Sequence, residues 1–198
     1  GTKATSASLP NSLTNSLTSI SSRKTLGGDF YRDSVGLTVV NGGAYHDETQ
    51  SRFGETSMNG DNVGWIRADS LVVPQTGAFT IEFWTRLRTN VTYNTFITNY
   101  ASGVPDGIFQ MSTSITYNGT SRLDFFMKNT GGGNFAYTGP SGQLALNTWH
   151  HIALTRNASN QMRVFVNGSS VYSTTNNITF NNNNLYIGGR EFGYKAPQ

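Results

Sequence analysis

Three histidines, four glutamates, seven aspartates and no cysteine make up the reactive inventory of this chain. Two of the histidines, His150 and His151, are adjacent in "NTWHHIALTRNASNQMRVFVNG". Neighbouring imidazoles invite a metal site or a proton shuttle. The surrounding alternation argues against both. On a strand, Trp149, His151 and Ala153 point one way while His150, Ile152 and Leu154 point the other. Rings on opposite faces cannot ligate one ion or share a proton. "MRVFV" reads as the next strand, and Asn167-Gly168 as a tight turn into "SSVYS". His46 lies far away in a turn-like segment. The segment is a hairpin, with its histidines engaged in packing and hydrogen bonding.

The carboxylates point the same way. Glycoside hydrolysis needs two of them roughly 5 to 10 Å apart across the scissile bond. Glu82 is followed by Phe83 and Trp84, and Arg86 is its expected same-face partner in an ion pair. Asp124 has apolar neighbours and Lys128 nearby, and no Ser-His-Asp order with a nucleophile elbow occurs. The chain therefore reads as a non-enzyme. Asp61 in "NGDNVGW" and Asp106 in "SGVPDG" are isolated loop acids. A calcium ion wants six to eight oxygens, so these two are the calcium candidates, with turn capping as their simpler role. No other metal or cofactor is called for. Trp65, Tyr100 and Tyr137 stand near turns and are the candidates for stacking on a ligand such as a sugar ring.

Such residues need elements to hold them. Charged residues are only 13% of the 198, while Gly (22), Asn, Ser and Thr are plentiful, a composition that favours turns and short strands. A net charge of +3 is too small and too evenly spread to imply nucleic acid. No apolar run approaches the length of a membrane span, so no membrane insertion is expected. The first residue is Gly rather than Met, as in a processed or partial chain.

Residues 1–33 differ from the rest. They are rich in Ser and Thr and contain the tandem "NSLTNSLT". Leu9, Leu13, Leu17 and Ile20 would line one face of a short helix, with Pro10 suited to its first turn. Helix propensity is poor here, so the alternatives are a disordered leader or an arm that gains order on a partner. From residue 34 to 198 the pattern is strand after strand. "FTIEFWTRL" sets Phe79, Ile81, Phe83 and Leu87 against Thr80, Glu82 and Arg86. "IFQMSTSITY" groups Phe109, Met111, Ile115 and Tyr117, and "RLDFFMK" groups Leu123, Phe125 and Met127. Asn-Gly pairs at Asn41, Asn59, Asn118 and Asn167 supply turns that need positive φ. The expected fold is all-β, an antiparallel two-sheet jelly-roll sandwich with an extended N-terminal arm.

"FTIEFWTRL", "NTWHHIALTRNASNQMRVFVNGSSVYS" and "NLYIGG" occur in linked order, and together they resemble the laminin G-like, or concanavalin A-like, jelly roll. "SRFGETSMNGDNVGWIRADS" is similar to a further segment of that family, and the likeness covers residues 34–189. With the leader "DFYRDSVGL" it resembles versions found in structural proteins of tailed phages. Hydrolases related to the family carry their carboxylates as E-x-D-x-x-E on one strand, and no glutamate here begins that motif. The family also continues beyond "YIGGREFGY" with a strand that pairs with the first one. The chain ends at "KAPQ", so the native polypeptide is expected to continue past Gln198, or another segment to cover Val35–Val40.

The resemblance implies a virion structural protein (a capsid decoration, fibre or tail-associated component) with a lectin-like domain for host surface glycans. Its partners would be other virion proteins or copies of itself, reached through Leu9, Leu13, Leu17 and Ile20. The alternative is a secreted, extracellular bacterial carbohydrate-binding or adhesion module. Fold alone does not decide between them.

Overall fold

β-Branched and aromatic residues alternating with small polar ones dictate extended chain, and the Asn and Gly turns reverse it. The computed structural model describes residues 24–25, 39–54, 56–60, 64–69, 76–89, 94–100, 107–115, 121–128, 134–181 and 184–189. Fourteen strands occur among them and no helix. In chain order they are β1 (Lys24–Thr25), β2 (Val39–Asn41), β3 (Tyr45–Asp47), β4 (Ser57–Asn59), β5 (Ile66–Ala68), β6 (Phe79–Arg86) and β7 (Asn94–Thr98). Then come β8 (Ile108–Ile115), β9 (Ser121–Lys128), β10 (Asn134–Thr138), β11 (Trp149–Arg156), β12 (Gln161–Val166), β13 (Ser169–Thr175) and β14 (Leu185–Ile187).

A seven-stranded sheet runs in the order β10-β9-β8-β7-β14-β5-β2, and a four-stranded sheet in the order β13-β12-β11-β6. Their pairings are antiparallel. This is the expected jelly-roll sandwich with one addition. A third, three-stranded sheet, β1-β3-β4, forms where the chain from residue 45 to 59 folds back on itself as a hairpin. The two-sheet expectation missed it because strands of three residues are too short to show a period. Lys24 and Thr25 pair with His46 and Tyr45 on its edge. Leu9, Leu13, Leu17 and Ile20 lie outside the described residues. Among those residues β2 is paired on one side only, by β5.

The alternation places the core. Phe109, Met111, Leu123, Phe125 and Met127 of the larger sheet meet Ile152, Leu154, Met162 and Val164 of the smaller one, all at most 1% exposed. Phe79, Ile81 and Phe83 of β6 and Leu87 just after it, at 1%, join as the pattern predicted. Each such fully buried side chain contributes about 1.5–3 kcal/mol. The connection between β13 and β14 also adds Ile178 and Phe180, both wholly buried. Phe180 packs edge-on against Phe79 and Phe109 at 5.8 and 5.4 Å between centroids.

Candidate functional site

β6 is the edge strand of the four-stranded sheet, and its outward residues are Glu82, Trp84 and Arg86. The register with β11 sets Arg86 opposite Trp149 and Trp84 opposite His151. Directly opposed residues on one face have Cβ atoms about 4.5–5.5 Å apart, so a row of aromatic and basic side chains results. The β3–β4 hairpin lies over this row. Phe53 from its connection meets Trp84 edge-on at 5.7 Å. The Arg52 guanidinium caps the Trp84 ring at 4.4 Å, and His151 tilts against it at 5.1 Å.

Between hairpin, β6 and the far sheet opens a cleft of about 270 Å³. Asp47, Met58 and Asn59 form one wall, Trp84, Arg86 and Trp149 another, and Phe96, Ile97 and Ile187 the third. The exposed large hydrophobic side chains of the described residues are Phe53 (66%), Met58 (36%), Trp84 (36%) and Ile187 (37%). Three of them line this cleft and the fourth, Phe53, rests on Trp84. Leaving apolar surface in water is unfavourable, so its concentration at one concavity makes this the candidate binding site.

The cleft's charges are unevenly satisfied. Partial burial opposes ionisation of the Asp47 carboxyl. Bonds from the Thr49 hydroxyl (2.5 Å), the Thr49 amide (2.9 Å) and the Asn59 side-chain amide (3.0 Å), with the charge of Arg88, outweigh it. Asp47 is thereby held below its ordinary value of 3.8. Arg88 in turn donates to Asn59 Oδ1 at 3.4 Å. Glu82 Oε2 lies 3.4 Å from His151 Nε2. Among the described residues, the side chains of Arg86 and Trp149 make no hydrogen bond, ion pair or ring contact.

The lowered Asp47 carboxyl fixes a sign. A depressed folded-state value stabilises the fold above the unfolded value, and that contribution disappears as pH falls through the folded one. Asp47→Asn is therefore expected to be less stable than the parent near neutral pH, with the gap closing below about pH 4. Urea midpoints at about pH 7 and about pH 2.5 check this, and a gap that widens on acidification refutes it.

Glu82 and Asp47 do face one cleft, which the spacing of acids along the sequence did not reveal. A hydrolytic pair needs one carboxyl held protonated as general acid. Asp47 is held ionised, the opposite condition. Glu82 is paired with His151 rather than with the expected Arg86, because the register sets the imidazole diagonally beside it. Asp124 likewise binds Arg122 Nε at 3.1 Å, two residues away on its own strand face, in place of Lys128.

The two neighbouring histidines do face opposite ways. His150 is 5% exposed, with Nε2 3.1 Å from the Ala145 carbonyl and Nδ1 3.2 Å from Asn167 Nδ2. Asn167 Oδ1 accepts the His151 backbone amide at 2.9 Å, which fixes the orientation of the Asn167 amide. His150 Nδ1 is then an acceptor and Nε2–H the donor. That is a structural imidazole.

Trp65 covers Gly42, where a Cβ would come within 2.1 Å of the indole, and meets Tyr186 at 5.8 Å. Tyr137 packs on Tyr172 at 5.6 Å and accepts a hydrogen bond from Gln143. Tyr100 follows β7, with its amide bonded to Thr98 Oγ1 at 3.0 Å. None of the three lines the cleft, and the structure does not bring them together. Asp61 and Asp106 lie outside the described residues. Among those described, no group of three or more metal-ligating side chains gathers. The residues of the cleft that sequence reasoning passed over are Trp84, Arg86 and Trp149. The signal that could have found them was the outward phase of "FTIEFWTRL" and of "TWHHIAL".

The strand order and the two facing sheets define a jelly-roll sandwich. The chain belongs to the concanavalin A-like lectin/glucanases superfamily, whose laminin G model matches residues 59–197. No curated protein matches it. Among solved structures it is similar to the binding domain of Paraclostridial mosquitocidal protein 1, at 14% identity and a TM-score of 0.60. That match covers 82% of this chain and 42% of the other. The botulinum neurotoxin serotype G binding domain gives 16% identity and 0.55, covering 78% and 39%. A structure of botulinum neurotoxin type C, whose cell entry depends on two ganglioside molecules, gives 16% and 0.53, covering 83% and 39%. The chain thus spans about two-fifths of the length of these structures. The likeness is one of fold, and the parts it names are binding domains.

Proposed function

We propose that this chain is a carbohydrate-binding jelly-roll domain whose sugar site is the cleft under the β3–β4 hairpin. One observation carries the reading: the exposed large apolar side chains of the described residues converge on that cleft. A sugar ring has an apolar face of C–H groups and an equatorial belt of hydroxyls. The half-buried indole of Trp149 in the cleft wall suits the first, and Gln50, Ser57 and Glu82 around the cleft suit the second. Fold likeness to part of a toxin whose cell entry depends on two ganglioside molecules agrees with this reading without carrying it.

A glycan array, probed with and without calcium, tests the proposal. Retention of at least one glycan is expected, and Trp149→Ala should weaken it about 30-fold, the effect of removing an aromatic anchor worth about 2 kcal/mol. An array with no retained glycan under either condition removes the reading. So does a Trp149→Ala protein that folds and binds unchanged.

The same proposal places the domain on a virion surface, docked to neighbouring subunits by Leu9, Leu13, Leu17 and Ile20. Its support is the sequence resemblance of the leader "DFYRDSVGL" and the segments after it to versions found in tailed-phage structural proteins. Mass spectrometry of purified particles checks it. Recovery of the chain only from particle-free medium fits the secreted bacterial adhesion module instead.

A further inference from the structure

We infer that the cleft selects an anionic sugar, with its carboxylate or sulfate seated on Arg86 and its ring against Trp149. The inference rests on the carbohydrate reading above and deepens it by naming the charge of the ligand. Four charged side chains line the cleft: Asp47, Glu82, Arg86 and Arg88. Both carboxylates already have partners in the protein. Asp47 takes three hydrogen bonds from Thr49 and Asn59, and Glu82 lies beside His151. Arg88 is bonded to Asn59 and acts electrostatically on Asp47. Arg86 has no such partner, although it is half-buried in a wall that also holds Trp84 and Trp149. Of the four, Arg86 alone has no side-chain partner among the described residues.

A half-buried guanidinium without a counter-charge is poorly solvated, and its five donors form a planar fork that matches an oxyanion. Its position is specific. Arg86 stands directly across the strand pair from Trp149, so fork and indole line the same cleft side by side. A neutral sugar would leave that guanidinium without its strongest kind of bond, whereas a uronic acid or a sulfated hexose would supply it. Carboxylate and sulfate share the chemistry that Arg86 recognises, and the experiment separates them.

Titration calorimetry of the whole chain is run with a glucuronate-bearing disaccharide, a sulfated disaccharide and their neutral parent. At least one acidic sugar is expected to bind about 10- to 100-fold tighter than the neutral one, the range for a charge-assisted bond. Which arm responds identifies the oxyanion. Arg86→Gln should reduce the preference to near parity, and Arg86→Lys, which keeps charge but loses the fork, should keep only part of it. Arg163→Gln, which removes an exposed cation on β12 away from the cleft, should leave the preference intact. Thermal melts confirm that each variant folds. Equal affinity for acidic and neutral sugars, or a preference that survives Arg86→Gln, overturns the inference while leaving the carbohydrate reading in place. No affinity for any of the three, together with an empty glycan array, overturns both.

Discussion

Arg156→Met is expected to lower the unfolding free energy by about 2–5 kcal/mol, read as a shift of the urea midpoint at unchanged slope. Arg156 closes β11 and is 2% exposed. Its Nε donates to the Gly77 carbonyl at 2.5 Å and its Nη1 to the Ile178 carbonyl at 2.8 Å. The guanidinium also lies 4.9 Å from the Phe79 ring centre and 5.4 Å from that of Phe180. One side chain thereby ties the lead-in to β6 and the connection after β13 to the end of β11.

Burial lowers the readiness of this arginine to stay protonated, so the charge bears a real desolvation cost. Replacing it with an apolar side chain recovers that cost, and for some buried ions the exchange is favourable. Here the acceptors decide the sign. The Gly77 and Ile178 carbonyls belong to the backbone and stay behind. The Ile178 carbonyl is buried and costs about 1–3 kcal/mol when unpaired. Gly77 is exposed, so that its carbonyl can turn to water, and the lost ring contacts add about 1–2 kcal/mol. Arg156→Lys keeps the charge, but a single ammonium lacks the fork that serves two segments at once, so an intermediate loss is expected. A loss below about 1 kcal/mol for Arg156→Met would mean that water reaches both carbonyls, and the clamp would then be no clamp.

The sandwich was legible in the sequence because its core strands run six to eight residues and alternate strictly. "RLDFFMK" buries Leu123, Phe125 and Met127 and turns Arg122, Asp124 and Lys128 outward, as its pattern required. The histidine pair was legible for the same reason. The cleft was not. It is assembled from β3, β4, β6, β7, β11 and β14, and four of these six are three to five residues long. Their neighbours are set by register across the sheet and by the fold-over of the hairpin, neither of which leaves a periodic trace. Proximity to a turn singled out Trp65, Tyr100 and Tyr137. The structure employs Trp65 as the cover of Gly42 and Tyr137 as a partner of Tyr172. Arg86 was assigned to Glu82 by spacing along one strand, and only the facing strand shows that His151 holds that position.

Gly107→Ala is expected to cost about 3–5 kcal/mol, against about 1–2 for Gly142→Ala, with thermal melts of the two proteins side by side as the measurement. Both glycines have positive φ, +69° and +75°, so each alanine bears the same left-handed penalty. Their surroundings differ. A Cβ on Gly142 meets nothing within 4 Å, whereas on Gly107 it would sit 2.8 Å from both the Asn181 nitrogen and the Thr179 oxygen. Those atoms are backbone and cannot swing aside as a flexible side chain would. They also belong to a knot of hydrogen bonds. Gly107 donates to Lys128 and accepts from Asn181, each at 2.8 Å, and Asn99 Nδ2 adds a bond to Gly107 O at 3.0 Å. Asn99 Oδ1 in turn takes the Phe109 amide at 2.7 Å. Pushing residues 179–181 outward therefore strains the entry to β8 and loosens Phe180, which fills the core between the sheets. The control removes the shared φ penalty and leaves the clash alone as the difference, about 2–3 kcal/mol. At about 2–4 °C per kcal/mol in a chain of this size, the two midpoints should separate by roughly 4–12 °C. Equal midpoints would show that the connection yields freely, and that close approach at Gly107 does not hold the two sheets in register.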